Sequence, residues 1–209
     1  SESPENSLSA FEKSVQSGYP IELDIQQIAD GTVIVFHDTS LSRLTGQDGY
    51  AKYLIKEDLS SCYLCGTKET IPTFQEALNL INGRVPVLIE FKNTSKVGDL
   101  ESAALEILKN YNGEYAVMSF NPYVVKWFKD NAPNVIRGQL SSFFRHDKLE
   151  FIKKLMLKKM ILNKISEPHF IAYECNNLPN KYVKKYKHLP LLAWIVRSQE
   201  EYMSVVKYC

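Results

Sequence analysis

The stretch Ile21–Asp38, IELDIQQIADGTVIVFHD, decides the fold. Its first half is an apolar run in which Glu22 and Asp24 lie two residues apart, and its second half ends at a His-Asp pair that begins with His37. The turn signal Asp30-Gly31 separates two β-prone runs and predicts a hairpin. Because strand side chains alternate, both carboxylates point to one side of their strand. The stretch therefore predicts acidic and histidine side chains gathered at the tips of two strands.

Apolar strands alternate with amphipathic helices along the rest of the chain. Thr73 and Glu76 form a capping box that opens one of these helices. This alternation predicts parallel βαβ units, in either a doubly wound sheet or a (β/α)8 TIM barrel. No G-x-G-x-x-G motif follows any strand, which disfavours a dinucleotide site. The six predicted parallel strands span residues 20–25, 85–91, 115–119, 134–140, 169–173 and 190–196.

Residues 39–69 are polar and irregular and predict a long excursion with one short helix near residues 56–60. Together with the hairpin, this excursion forms a predicted insertion at roughly residues 26–70. No repeat or linker divides the chain, so we expect a single domain over residues 1–209.

Composition limits the function classes. The 209 residues are 44% hydrophobic and 23% charged, with a formal net charge of +1. No half of the chain is strongly basic, which disfavours nucleic acid as a partner. No apolar run approaches the roughly 20 residues of a membrane span. The C-x-x-C pair Cys62 and Cys65 has no second pair to complete a zinc site, so we interpret both as ordinary thiols. Sparse cysteine suggests a reducing compartment and a cytoplasmic location.

Glu90 and Lys92 lie at the end of another predicted strand, in the run IEFK. Active sites of α/β folds occur at the carboxyl ends of strands. Three carboxylates that converge there would repel one another without a cation, and oxygen ligands favour Mg²⁺ or Ca²⁺ over zinc. Taken singly, each feature has an ordinary alternative, such as an exposed ion pair or a surface histidine. The combination on two strands is what favours a site.

These motifs carry a family resemblance. PENSLSAF, followed by IELDIQQIADGTVIVFHDTSLSRLTG, closely resembles the opening of the glycerophosphodiester phosphodiesterase family, which contains P-E-N-T-x-x-A-F, E-x-D and D-G-x-x-V-x-x-H-D-x-x-L-x-R-x-T. The later segments IPTFQEAL, LIEFK, MSFNP and AWIV resemble further segments of that family. The resemblance implies a (β/α)8 barrel and one divalent cation, Mg²⁺ or Ca²⁺, bound by Glu22, Asp24 and Glu90. It also implies that His37 is one of two catalytic histidines.

The resemblance implies roles for four further residues. Lys92 would neutralise phosphate oxygens, and Trp194 would line the glycerol side of the substrate. Glu5 and Asn6 would support the first helix and the surroundings of the site, with Asn6 as a candidate N-cap. The substrate would be a small glycerophosphodiester, hydrolysed to glycerol 3-phosphate and an alcohol by histidine general acid–base catalysis.

The chain also departs from the family pattern. The His-Arg-Gly motif of the family's first strand and its final strand are both absent, so six of eight barrel strands are expected here and the encoded protein is expected to extend further. His146, His169 and His188 do not substitute for the missing histidine. Ile195 and Arg197 replace the family's usual Thr and Asn.

Two alternatives therefore stay open. A lysophospholipase D or sphingomyelinase D-like phosphodiesterase would need an apolar entrance, for which Leu54, Ile55 and Tyr63 are candidates. A non-catalytic barrel is the other alternative, supported by the missing His-Arg motif. The head group and the oligomeric state are not determined by the sequence.

Overall fold

A computed structural model describes residues 3–92, 96–145 and 148–209. The chain forms two compact units, Ser1–Ala116 and Val117–Cys209, and strand β4 (Tyr115–Ser119) contains the boundary between them. The other regular elements of the first unit are α1 (Leu8–Gln16), β1 (Ile21–Gln27), β2 (Val33–Val35), α2 (Ser42–Thr45), α3 (Phe74–Ile81), β3 (Val87–Phe91) and α4 (Asp99–Leu108).

Strand β1 is the centre of the sheet in the first unit. It pairs antiparallel with β2 through the predicted hairpin and parallel with β3. In the parallel register Asp24 lies opposite Glu90, and Leu23 lies opposite Ile89. Leu23 and Ile89 are fully buried, each worth about 1.5–3 kcal/mol of transfer free energy. The predicted strands 20–25 and 85–91 are confirmed, and their register brings the acidic positions together.

Helix α1 begins one residue later than the sequence suggested. Ser7, not Asn6, is the N-cap, because its hydroxyl accepts a hydrogen bond from the Ala10 amide. Asn6 has a positive φ of 58° and turns its side chain towards β1 instead. The prediction of Asn6 as the cap is therefore wrong. The capping box of α3 is confirmed, with reciprocal bonds between Thr73 and Glu76.

The excursion after β2 is more ordered than its polar composition indicated. It contains α2 and two 3-10 helices, Ala51–Tyr53 and Lys56–Ser61, the second at the predicted short helix. Its apolar residues bury one another in a cluster of their own, which we call the insertion core: Ile28, Ile34, Phe36, Leu41, Leu44, Ala51, Leu59, Cys62, Leu64 and Ile71. The expectation of an irregular excursion is corrected, because widely spaced leucines converge on the hairpin. Cys62 and Cys65 are free thiols.

The second unit is built on the parallel strands β5 (Ile136–Ser141), β6 (Phe170–Glu174) and β7 (Leu191–Trp194), in that order. Gly138 lies opposite Phe170, and a Cβ at this position would fall 2.1 Å from the phenyl ring. Only glycine permits this close packing. The helices are α5 (Pro122–Asn131), α6 (Phe151–Lys158), α7 (Asn163–Ser166) and α8 (Gln199–Val205).

No helix among the described residues has both the length and the apolar character that a membrane span requires. The organisation of residues 1–209 as a single domain stays a prediction.

Candidate functional site

Three carboxylates converge on the paired strands β1 and β3: Glu22 and Asp24 lie in the first half of β1, and Glu90 lies next to the end of β3. Oxygen atoms of Glu22, Asp24 and Glu90 all lie within 4.8 Å of one another. Asp24 and Glu90 are buried, whereas Glu22 is exposed to solvent. The parallel register accounts for the convergence, since Asp24 and Glu90 occupy opposed positions on neighbouring strands and Glu22 is two residues along the same face.

Lys92 joins two of these carboxylates. Its Nζ lies 2.6 Å from Glu90 Oε1 and 3.0 Å from Asp24 Oδ1. Burial would lower the pKa of Lys92, but the carboxylates of Glu90 and Asp24 outweigh that effect and raise it. The lysine is therefore charged, and it offsets part of the negative charge of the cluster.

The single ammonium of Lys92 cannot neutralise the negative charge of three carboxylates. Burial of its carboxyl group, together with the negative charges of Asp24 and Glu90, raises the pKa of Glu22 to about 8. Burial also raises the pKa of Glu90, although Lys92 acts against this shift. Glu22 has accessible side-chain surface, so we attribute its shift as much to the neighbouring charges as to desolvation. The cluster holds excess negative charge that a cation would neutralise.

The donor set fits one divalent ion. Ca²⁺ takes oxygen ligands at about 2.3–2.6 Å, so two ligands on opposite sides of the ion lie about 5 Å apart, close to the extent of this cluster. Mg²⁺ binds at about 2.1 Å and would need a slightly tighter arrangement. Three carboxylates without nitrogen or sulfur donors are the ligand class of these hard cations.

Asn6 orients Asp24. Its Nδ2 donates a hydrogen bond of 2.8 Å to Asp24 Oδ2, and its Oδ1 accepts one of 3.2 Å from the Asp24 amide. Both residues are buried. Because Lys92 contacts Oδ1 and Asn6 contacts Oδ2, the carboxylate of Asp24 is fixed from both ends.

His37 follows β2, and its neighbour Phe36 donates a backbone hydrogen bond to Asp24 O at 2.9 Å. The histidine is therefore tied by the backbone to the strand that carries the acidic cluster. His37 Nδ1 lies 2.7 Å from Asp38 Oδ1. The ionised carboxylate of Asp38 can accept hydrogen bonds but cannot donate one, so Nδ1 of His37 carries the proton. Nε2 is then the ring nitrogen that faces away from Asp38.

Arg43 holds Asp38 in its ionised form. Its Nε and Nη2 donate to the two carboxylate oxygens of Asp38 at 2.6 and 2.8 Å, and its guanidinium also donates to both oxygens of Glu5. The hydrogen bonds from Arg43 hold the pKa of Asp38 at about 2, and they also lower the pKa of Glu5. Glu5 thus supports the site through Arg43 and Asp38.

Gln26 is a residue that the sequence did not single out. It is 2% exposed, and its Nε2 donates to Phe36 O at 2.7 Å and to Asp38 O at 2.9 Å. The two carbonyls flank His37, so the amide of Gln26 fixes the backbone on both sides of the histidine. The only sequence signal was its position, two residues after Asp24 on the same strand face.

The family profile described as the glycerophosphoryl diester phosphodiesterase family matches residues 1–207. The chain belongs to this family. A glycerophosphodiester phosphodiesterase of Caldanaerobacter subterraneus is 34% identical over 148 residues, which cover 66% of this chain and 61% of that protein. A glycerophosphodiester phosphodiesterase of Bacillus altitudinis is 30% identical over 167 residues, which cover 74% of this chain and 68% of that protein. The chain spans about three fifths of the length of the first relatives that it matches.

Solved structures of family members share the fold. An Oleispira antarctica phosphodiesterase in complex with the product sn-glycerol-3-phosphate has a TM-score of 0.81 at 22% identity, covering 98% of this chain and 84% of that one. This likeness confirms the predicted TIM-barrel-like α/β fold.

Trp194, predicted from the family to line the glycerol side, ends β7 in the second unit. Its ring packs edge-on against Phe120, with centroids 5.4 Å apart, and Phe120 contacts Phe144 in turn. The indole Nε1 is buried and has no hydrogen-bond partner among the described residues. The substrate role of Trp194 stays a prediction.

The two other histidines among the described residues have local structural contacts. His169 precedes β6, and its Nδ1 accepts a hydrogen bond from the Arg137 amide. Burial lowers the pKa of His169, and the positive charge of Arg137 lowers it further. His188 packs near the Tyr186 ring. His146 lies outside the described residues.

Proposed function

We propose that this protein hydrolyses glycerophosphodiesters to glycerol 3-phosphate and an alcohol, with one divalent cation held by Glu22, Asp24 and Glu90. The observation that carries the proposal is the convergence of three carboxylates and Lys92 in a chain of this family. The product bound in the Oleispira relative supports the same substrate class.

The residues suit phosphodiester cleavage electrostatically. A bound Mg²⁺ or Ca²⁺ would supply positive charge for the phosphate oxygens. Lys92 adds a second positive charge at the same place, because its ammonium forms ion pairs with the carboxylates of Asp24 and Glu90. A buried cation is worth more to a developing negative charge than an exposed one, since water screens it less.

His37 suits the role of general acid. Asp38 accepts a hydrogen bond from the Nδ1–H group, which leaves Nε2 as the ring nitrogen that would pass a proton to the departing alkoxide. The carboxylate of Asp38 is held ionised by Arg43, so it fixes the tautomer without competing for the proton. This arrangement needs a second group as general base, for which the resemblance implies the histidine of the family's His-Arg-Gly motif.

The test is turnover of glycerophosphocholine by the full-length protein, followed by glycerol 3-phosphate release. Glu22→Gln is expected to lower kcat/KM on the order of 100-fold or more and to weaken Mg²⁺ or Ca²⁺ binding, because it removes one of three charged ligands. Glu106→Gln, at an exposed carboxylate on α4, is the matched control. Excess EDTA should abolish activity, and readdition of each metal identifies the ion.

Full activity of Glu22→Gln, or full activity of the wild type in excess EDTA, would contradict the metal assignment. Absence of turnover in the full-length wild-type protein with either metal would favour the non-catalytic barrel.

A second candidate activity is lysophospholipase D. A human protein named as a lysophospholipase D is 31% identical over 63% of this chain, although the match covers only 46% of that protein. Choline release from lysophosphatidylcholine, compared with release from glycerophosphocholine, separates the two activities.

We also propose a cytoplasmic location, supported by four free cysteines: Cys62, Cys65, Cys175 and Cys209.

A further inference from the structure

Helix α6 leaves two large apolar residues of its first turn exposed. Phe151 and Ile152 in its first turn are 78% and 70% exposed, and no residue of the helix is buried. Helix α3, which has the same length, buries four of its residues. Five of the eight residues of α6 are large and apolar, and the described residues cover three of them in part but leave Phe151 and Ile152 open to solvent.

The same segment is strongly basic. Residues 148–164 contain six lysines and one acidic residue, Glu150, which gives a net charge of +5 in a chain whose total is +1. Within the described parts of the chain, Lys148, Lys153 and Lys154 form no ion pair. These three lysines flank the exposed apolar pair in sequence, so their charges are available to a partner.

The position of α6 in the fold is also informative. The helix follows β5, and its last turn lies at the carboxyl edge of the β5–β6–β7 sheet, where Leu157 O accepts a hydrogen bond of 3.1 Å from Ser141 Oγ at the end of β5. Trp194 ends β7 at that same edge. In α/β folds this edge is the one at which substrates are bound.

We propose that the first turn of α6 docks this protein on an anionic lipid surface. Phe151 and Ile152 enter the headgroup region, and Lys148, Lys153 and Lys154 contact lipid phosphates. Large apolar side chains beside lysines on one short helix are the composition of interfacial helices. A protein partner is less well matched, because lysine is depleted at protein interfaces. Nucleic acid is less well matched too, since only Phe151 of the exposed apolar pair offers a ring for base stacking.

The proposal is independent of the proposed hydrolytic activity. It adds that the part of the second unit that carries the first turn of α6 faces the lipid surface.

The test is co-sedimentation of the full-length protein with phosphatidylcholine vesicles that do or do not contain phosphatidylglycerol. We expect binding to the anionic vesicles that weakens with salt. The double variant Phe151→Ser/Ile152→Ser should lower the partition coefficient about tenfold or more, and Lys153→Glu/Lys154→Glu should do the same.

Matched controls come from the same unit. Tyr202→Ser/Met203→Ser changes an adjacent exposed apolar pair on α8, and Lys184→Glu/Lys185→Glu reverses an adjacent exposed lysine pair. Both should bind as the wild type does. All four substituted pairs are surface pairs, and circular dichroism confirms that each variant is folded.

Three results would overturn the proposal: no binding to anionic vesicles, equal binding to neutral ones, or equal losses in the α6 variants and the controls. A wild-type dimer in light scattering that Phe151→Ser/Ile152→Ser dissociates would also overturn it, because a second copy would then cover α6.

Discussion

Asp38 connects the candidate acid His37 to the cationic side chain of Arg43. It accepts hydrogen bonds from both, and Arg43 reaches on to Glu5, which is 38 residues away in sequence. Such a network fixes the orientation of the imidazole through charge-assisted bonds. The sequence indicated His37 by its place at a strand tip, but it could not show that Glu5 and Asp38 share one guanidinium, because that contact depends on the fold.

The network predicts an acid-sensitive contribution to stability. The pKa of Asp38 is about 2 in the folded protein against an ordinary value of 3.8, so folding favours the ionised form. Stabilisation is therefore present above about pH 4 and is lost as pH falls towards 2. We expect about 1 kcal/mol from this group, after allowing for solvent around the half-exposed Arg43.

Urea unfolding of wild type and Asp38→Asn between pH 6 and pH 2.5 measures this contribution. The variant should be less stable than wild type at pH 6, and the difference should shrink towards pH 2.5. A constant difference across that range would show that Asp38 contributes nothing through its charge.

At the scale of elements, the hairpin of β1 and β2 and the neighbouring strand β3 together define the site. Alternation along β1 predicted that Glu22 and Asp24 share a side, and the apolar runs predicted a parallel neighbour. The parallel register, which sets Asp24 opposite Glu90, depends on the packing of both strands and could not be predicted from either run alone.

Gln26 was missed for a related reason. A glutamine within a strand carries no recognisable chemistry, and its importance comes from two backbone carbonyls ten and twelve residues further on. The insertion core was underestimated in the same way, because its residues are separated in sequence by polar stretches.

Gln26→Leu should separate positioning of His37 from metal binding. The variant loses two hydrogen bonds to the carbonyls of Phe36 and Asp38, so we expect kcat to fall about tenfold while the affinity for Mg²⁺ or Ca²⁺ stays unchanged. Isothermal titration with metal and steady-state kinetics measure the two quantities.

The control is Gln27→Leu, which removes a surface bond to Gly31 O in the same hairpin. It should retain wild-type kcat. Equal losses of kcat and metal affinity in Gln26→Leu would contradict a specific positioning role.

At the scale of the whole molecule, the metal site should couple to folding. All three candidate ligands lie in the first unit, and their mutual repulsion opposes folding when no cation is bound. A ligand at about 100 times its Kd stabilises by roughly 2.7 kcal/mol, which corresponds to a rise in Tm of about 5–10 °C for a chain of this size.

Thermal unfolding with and without Ca²⁺ or Mg²⁺ tests this coupling. Hydrogen exchange should show slower amide exchange in β1 and β3 when metal is present. Glu22→Gln should lose most of the rise in Tm, whereas Glu106→Gln should keep it. The same rise in both variants would show that the ion binds elsewhere.

The contacts of Lys92 bear on the order in which ligands assemble. Its ammonium already occupies oxygens of Asp24 and Glu90 that a metal ion would use. An incoming ion would therefore compete with a tethered cation, which would slow loading and favour divalent over monovalent ions. With those oxygens bound to the ion, the ammonium of Lys92 would be free to contact an anion. The metal would then bind before the phosphate, and Lys92 would exchange its contacts with the carboxylates for contacts with the phosphate.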